Sequence, residues 1–247
     1  MNDKTKHRKS VVVVIASIAA TGGLLFGFDT GVISGAIPFI QDYFELTDSQ
    51  VENVTALGLI GAVVGALFTG RITDYLGRKK VILASAVIFA TGAIWTGLAP
   101  TVPQLMISRF YLGLAIGVSS FAVPLYISEI APTKIRGTLV SLFQLLITVG
   151  ILTAYLSDRA FADNSNLESW RPMLYVGVVP ALILFTGMFF LPETPRWLMG
   201  KGRDDEGRKV LSRTEEPELL DTVIAEMKRI LPSIKGRQAG QRSSSPG

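Results

Sequence analysis

GGLLFGFDTGVISGA, residues 22 to 36, sets one aspartate, Asp29, inside a thirty-residue run from Val11 to Ile40 that is otherwise apolar or small. About 20 apolar residues suffice for a helix to cross the ~30 Å hydrocarbon core of a bilayer, so the run reads as a membrane span. A charge at bilayer depth costs roughly 2.5 to 3.5 kcal/mol on insertion scales, and an acid kept there marks a candidate functional residue.

The rest of the chain repeats the pattern. It is 49% hydrophobic and 18% charged, and its mean hydropathy is +0.41, against about 25% charge in soluble domains. Apolar runs at 11 to 40, 52 to 70, 81 to 99, 104 to 127, 138 to 156 and 171 to 191 predict six transmembrane helices, each long enough to span. The fold class expected is an all-α membrane protein. Lys and Arg stay on the cytoplasmic side of short loops. They crowd residues 1 to 10 (Lys4, Lys6, Arg8, Lys9), 71 to 80 (Arg71, Arg78, Lys79, Lys80) and 128 to 137 (Lys134, Arg136), whereas residues 41 to 50 and 99 to 103 have none. Both termini are therefore expected in the cytoplasm. The net charge of +4 is accounted for by basic loops at a lipid surface, with no nucleic-acid partner.

The basic start followed by Val11 to Ala20 imitates a secretory signal, but apolar sequence continues to Ile40 and five spans follow, so cleavage is not expected. The chain has no cysteine, and its one histidine, His7, lies in the basic tail. No nucleophile, metal or nucleotide-phosphate constellation emerges, and no enzyme activity or cofactor is expected.

Laying the first span on the fourth at an offset of 86 residues exposes an internal repeat. Gly27, Gly31, Val32, Ser34, Ala36 and Pro38 meet Gly113, Gly117, Val118, Ser120, Ala122 and Pro124, six matches in twelve positions. Span one runs outward and span four inward, so this is an inverted repeat of three helices each, a hallmark of secondary transporters. If equivalent positions sit at mirrored depths, Asp29 and Arg109 each lie roughly 4 to 5 Å outward of the midplane, at 1.5 Å per residue. An opposite charge favours the ionised carboxylate, and its withdrawal favours protonation, the physics of a proton switch. The alternative is a static ion pair joining the first and fourth helices.

Other stretches carry weaker signals. Ser141, Gln144, Thr148 and Tyr155 share one face of the fifth span. An amide there suits the hydroxyls of a neutral polar solute, or serves as interhelical glue. Phe26, near the midplane, could stack on an apolar sugar face or pack against lipid and core. Gly58, Gly61, Gly65, Gly113 and Gly117 are read as close-packing positions. Three acid and base groupings fall on the cytoplasmic side: Asp74 with Arg78, Glu129 with Arg136, and Glu193 with Arg196. They suggest a conformational latch, against the plainer reading of positive-inside residues with incidental acids.

These motifs resemble those of the sugar porter branch of the major facilitator superfamily, over about residues 11 to 231. They are FGFDTGVISGA in the first span, the GxxxDxxGRK turn from Gly70 to Lys79, Arg109 with Gly113 and Gly117, PxYxxE from Pro124 to Glu129, Arg136 with Gly137, Gln144, and PETPR at 192 to 196. The resemblance implies the N-terminal half of an alternating-access sugar or polyol transporter driven by a proton gradient, and the short loops, with no long exterior loop to glycosylate, point to a cell (inner) membrane. It implies proton coupling at Asp29 and Arg109, and sugar contact at Gln144 with Phe26 and Thr148 nearby. It also implies a cytoplasmic salt-bridge latch of the outward-facing state from Asp74, Arg78, Glu129, Arg136, Glu193 and Arg196. Phe28 stands where tyrosine is common, and Phe143 where asparagine usually precedes the glutamine.

A complete fold of this kind has two six-helix halves with substrate between them. Three readings of a single half are open: a truncated or frame-shifted product, a half transporter that pairs with itself or a partner, and a non-transporting membrane sensor or assembly partner. After the spans, residues 192 to 231 are expected to be a cytoplasmic helical segment. Within it Leu219, Leu220, Val223, Ile224, Met227, Ile230 and Leu231 would form one docking face. Residues 232 to 247 are expected to be disordered.

Overall fold

The computed structural model describes residues 3–215 and 217–229; the side chains of 3–7 and 9 are not included. The expected disordered stretch 232–247, and Ile230 and Leu231 of the predicted docking face, lie outside the described residues. All regular structure among the described residues is helical. The first span is a broken pair, α1 (Asp3–Ala20) and α2 (Gly22–Phe44), interrupted only at Thr21. The Thr21 hydroxyl donates to the Ile18 carbonyl at 2.6 Å, holding the junction. Residues 3–10, read from sequence as a tail, continue α1 as helix. Then come α3 (Asp48–Leu76), α4 (Arg78–Leu98), α5 (Val102–Ile130) and α6 (Arg136–Phe161). The sixth span is split at Gly177 into α7 (Trp170–Val176) and α8 (Val178–Phe190). Six helical stretches are long and apolar enough to cross a membrane, as the sequence predicts. Beyond them lie α9 (Pro195–Gly200), α10 (Asp204–Thr214) and a further helix at 217–229.

Local chemistry starts and stops these helices. Thr47 and Gln50 form a reciprocal capping box at the start of α3, the Gln50 side chain accepting from Thr47 N–H at 3.0 Å. Pro103 and Pro195 sit in the first turns of α5 and α9, where the missing N–H costs nothing. Glu45, with φ of 51°, closes α2 in the left-handed region.

Packing follows the inverted repeat. The main partners are α2 with α6, α3 with α5, and α4 with α5 and α8. Exchanging the first three spans with the last three turns the α2–α6 contact into the α5–α3 contact and maps α4–α8 onto itself. The equivalent glycines do equivalent work: a Cβ on Gly27 would overlap the Ile147 carbonyl of α6, and a Cβ on Gly113 the Gly58 carbonyl of α3. Backbones thus approach closely enough for dense van der Waals packing, the main source of helix association in lipid. The peripheral helices α3 and α6, again repeat equivalents, are the least buried spans. They present Leu59, Val63, Leu67, Leu145, Leu152 and Leu156 outward.

Candidate functional site

Asp29 on α2 and Arg109 on α5 meet in the interior, at 5% and 3% exposure. Arg109 Nη1 donates to Asp29 Oδ1 at 2.5 Å and Nη2 to Oδ2 at 3.0 Å, the parallel fork that suits guanidinium and carboxylate. Arg109 Nε has no partner among the described residues. The guanidinium lies against α3 at Gly58, where a Cβ would stand 3.1 Å from Nη2, so glycine leaves it room. The position of the pair matters as much as its geometry. Most of α2 packs on α6 and most of α5 on α3, so this ion pair ties the two main helix pairs together inside the bundle.

On α6, Gln144 and Thr148 are exposed, with Ser141 and Tyr155 on the same face. The Thr148 hydroxyl leans back on the Gln144 carbonyl at 3.4 Å, and the Gln144 amide has no partner among the described residues. Interhelical glue within this bundle is therefore not its role here. Thr30 and Ser34 extend the polar exposed surface onto α2, the helix seamed to α6; Thr30 Oγ1 donates to the Phe26 carbonyl at 2.9 Å. Sequence reasoning missed both, although they fall four residues apart. Phe26 is half-buried and packs on the main core cluster.

The acids and bases expected on the cytoplasmic side assemble differently from their sequence pairing. Asp74 and Arg78 do pair, Oδ1 to Nη2, at 3.0 Å. Glu129 pairs with Arg78 rather than Arg136: Nη2 donates to Oε1 at 3.1 Å, and Nε lies 3.0 Å from Oε2 without the alignment of a hydrogen bond. Thr194 completes it, donating to Glu129 Oε2 at 2.6 Å. Glu193 pairs with no arginine side chain among the described residues. It caps α4, accepting from the N–H groups of Arg78 and Lys79 at 3.1 Å, where the free N–H groups of a helix start attract an anion. Gly77, with φ of 99°, makes the turn, and a Cβ there would collide with the Glu193 carboxylate. Burial raises the pKa of Glu193, opposed by its hydrogen bonds from Thr194, Lys79 and Arg78 and by the Arg78 charge. Sequence separation hid this exchange of partners: Glu193 lies 115 residues from Arg78.

Tyr126, Trp197 and Lys79 brace the same cluster. They donate to the carbonyls of Pro192 at 2.7 Å, Asp74 at 3.1 Å and Phe189 at 2.8 Å. Thr194 had a readable signal, a threonine directly before a helix-opening proline. Arg136 and Arg196 are exposed and make no ion pair among the described residues. They line a cavity of about 280 Å³ with Glu129, Leu219, Val223 and Met227. Of the predicted apolar face, Leu219, Val223 and Met227 thus line this cavity, although Leu219 remains exposed.

A profile of the family described as "Sugar (and other) transporter" matches residues 15–245. Over 230 residues the chain is 46% identical to the galactose-proton symporter of Escherichia coli (strain K12), covering 93% of this chain and 48% of that protein. The arabinose-proton symporter of the same organism is 42% identical over 234 residues, 95% of this chain and 48% of the relative. Among solved structures, the proton:xylose symporter XylE bound to 6-bromo-6-deoxy-D-glucose superposes with a TM-score of 0.84 at 31% identity, covering 95% of this chain and 56% of that one. The chain spans about half the length of the curated relatives it matches.

Proposed function

The chain belongs to the sugar transporter family of the major facilitator superfamily, and from that footing we propose that it forms the N-terminal six-helix half of a proton-coupled sugar or polyol transporter in a cell membrane. The observation that carries this is the buried fork between Asp29 and Arg109. In this fork Asp29 and Arg109 hold one another through two parallel hydrogen bonds. A proton entering from outside neutralises Asp29 and frees the guanidinium, which loosens the tie between α2–α6 and α3–α5. One proton moved through 100 mV supplies ~2.3 kcal/mol, enough for about a fiftyfold solute gradient at 1.4 kcal/mol per decade.

Substrate would meet this half along the exposed polar face of Gln144, Thr148, Thr30 and Ser34, with Phe26 beneath. Amide and hydroxyl groups can donate to and accept from sugar hydroxyls without charge. The relatives named for galactose, arabinose and xylose symport support a monosaccharide. On the cytoplasmic side, Asp74, Arg78, Glu129 and Glu193 would form the fixed part of the latch, and the exposed Arg136 and Arg196, which make no ion pair among the described residues, would reach acids of a second six-helix half. That half, or a second copy of this chain, is the partner proposed.

Asp29→Asn should abolish accumulation of labelled sugar in vesicles holding this chain together with a second six-helix half, while exchange of sugar for sugar persists. Accumulation that survives the substitution would overturn the coupling role and leave the pair a static tie. Thermal shift of the chain with pentoses, hexoses and inositols would sort the substrate class.

A further inference from the structure

Asp158 is a buried acid that neither the Asp29 pair nor the cytoplasmic cluster uses. It lies near the outer end of α6 at 6% exposure. Neither of its carboxyl oxygens has a hydrogen-bond partner among the described residues, and the neighbouring Ser157 hydroxyl is also unpartnered. The carboxyl presses on Gly35 of α2, where a Cβ would overlap Oδ2 and Cγ. Gly35 is the last rung of a ladder along the α2–α6 seam. Gly23 faces Phe143, Gly27 faces Ile147, and Gly31 faces Ile151 and Ala154. Three rungs set glycine against apolar residues or their backbone; the fourth sets it against an acid.

The other titratable groups at this end do not reach it. On α2, Asp42 and Glu45 are exposed, and the Tyr43 hydroxyl accepts from Arg171 at 3.2 Å. On α6 itself, Tyr155 and Arg159 are exposed, as are Asp163 and Glu168 in the following loop. On α7, Arg171 is committed to the Gly97 carbonyl at 2.7 Å and to Glu168 at 3.3 Å. A charged carboxylate buried without a counter-ion is far costlier than the neutral acid, and such a group keeps its proton.

We propose that Asp158 is a second proton-binding residue, protonated while α2 and α6 are closed at Gly35 and ionised only when the outer end of that seam parts and admits water. Gly35 is six residues outward of Asp29 on α2, roughly 9 Å along the axis, so the site is separate from the ion pair and nearer the outer surface. It does not depend on the transport reading, because its proton can be observed without substrate or uptake.

Infrared spectroscopy of the 247-residue chain in lipid nanodiscs tests this directly. At neutral pH a buried carboxylic-acid C=O band should be present, be lost in Asp158→Asn and persist in Asp29→Asn. Should the asparagine variant fail to fold, Asp158→Glu keeps an acid and should move the band instead of removing it. Gly35→Ala, which wedges the seam, should shift the loss of the band to lower pH by about one unit or more. A spectrum unchanged by substitution at Asp158 would overturn the proton site. An unshifted Gly35→Ala titration would overturn the seam lock, and loss of the band on adding sodium at fixed pH would replace the proton with a metal cation.

Discussion

Asp29 and Arg109 meet as a fork because a guanidinium offers two parallel donors to a carboxylate, which a lysine could not do. In low dielectric the attraction only repays desolvation when the geometry is good, and removing one partner strands the other. That asymmetry is what would give one proton a structural effect in the proposed coupling. Glu193 obeys the same chemistry with another partner, the start of α4. Its folded-state pKa is raised, so the folded protein holds that proton more tightly than the unfolded chain does. The resulting stability is full below the ordinary glutamate value of 4.5 and is lost as pH rises through the higher folded value. Thermal unfolding in detergent should therefore show wild type gaining on Glu193→Gln as pH falls through that window. A difference that does not change with pH would refute the assignment.

Among the elements, the two seams are set by glycine. At Gly27 and Gly117 a Cβ would run into the backbone carbonyls of Ile147 and Ala62, and backbone cannot rotate aside as a side chain can. Gly27→Val and Gly117→Val should each cost about 1–3 kcal/mol or more through forced helix separation. Gly137, within α6, has nothing within 4 Å of its would-be Cβ. Gly137→Ala should be neutral or gain up to about 1 kcal/mol from helix propensity. Detergent unfolding midpoints of the three variants check the contrast, and equal effects would mean the seams are looser than described.

At the scale of the whole molecule, the cluster of Arg78, Glu129 and Thr194 joins the α3–α4 turn to the end of α5 and the start of α9, while Arg8 donates to the Glu215 carbonyl at 2.7 Å and links α1 to the end of α10. Arg78→Ala strands the buried Glu129 carboxylate and should cost roughly 3–5 kcal/mol. Arg136→Ala and Arg196→Ala remove exposed side chains and should stay within about 0.5 kcal/mol of wild type. A large loss at either would show that these arginines hold this bundle together. A transport defect without a stability defect would fit their proposed work against a second half.

Sequence alone determined the six spans and the shared depth of Asp29 and Arg109. Span length and the spacing of small residues are properties of short segments, and the repeat carries depth from one helix to another without knowing their paths. Tertiary structure decided partnership: Glu129 with Arg78, Glu193 with the start of α4, Gln144 facing outward, Asp158 closed against Gly35. The breaks at Thr21 and Gly177 also emerged only there, since both residues keep helical backbone angles. Which charge meets which depends on where helices far apart in sequence come to lie, and that is fixed by backbone approach at the glycine seams rather than by any local pattern.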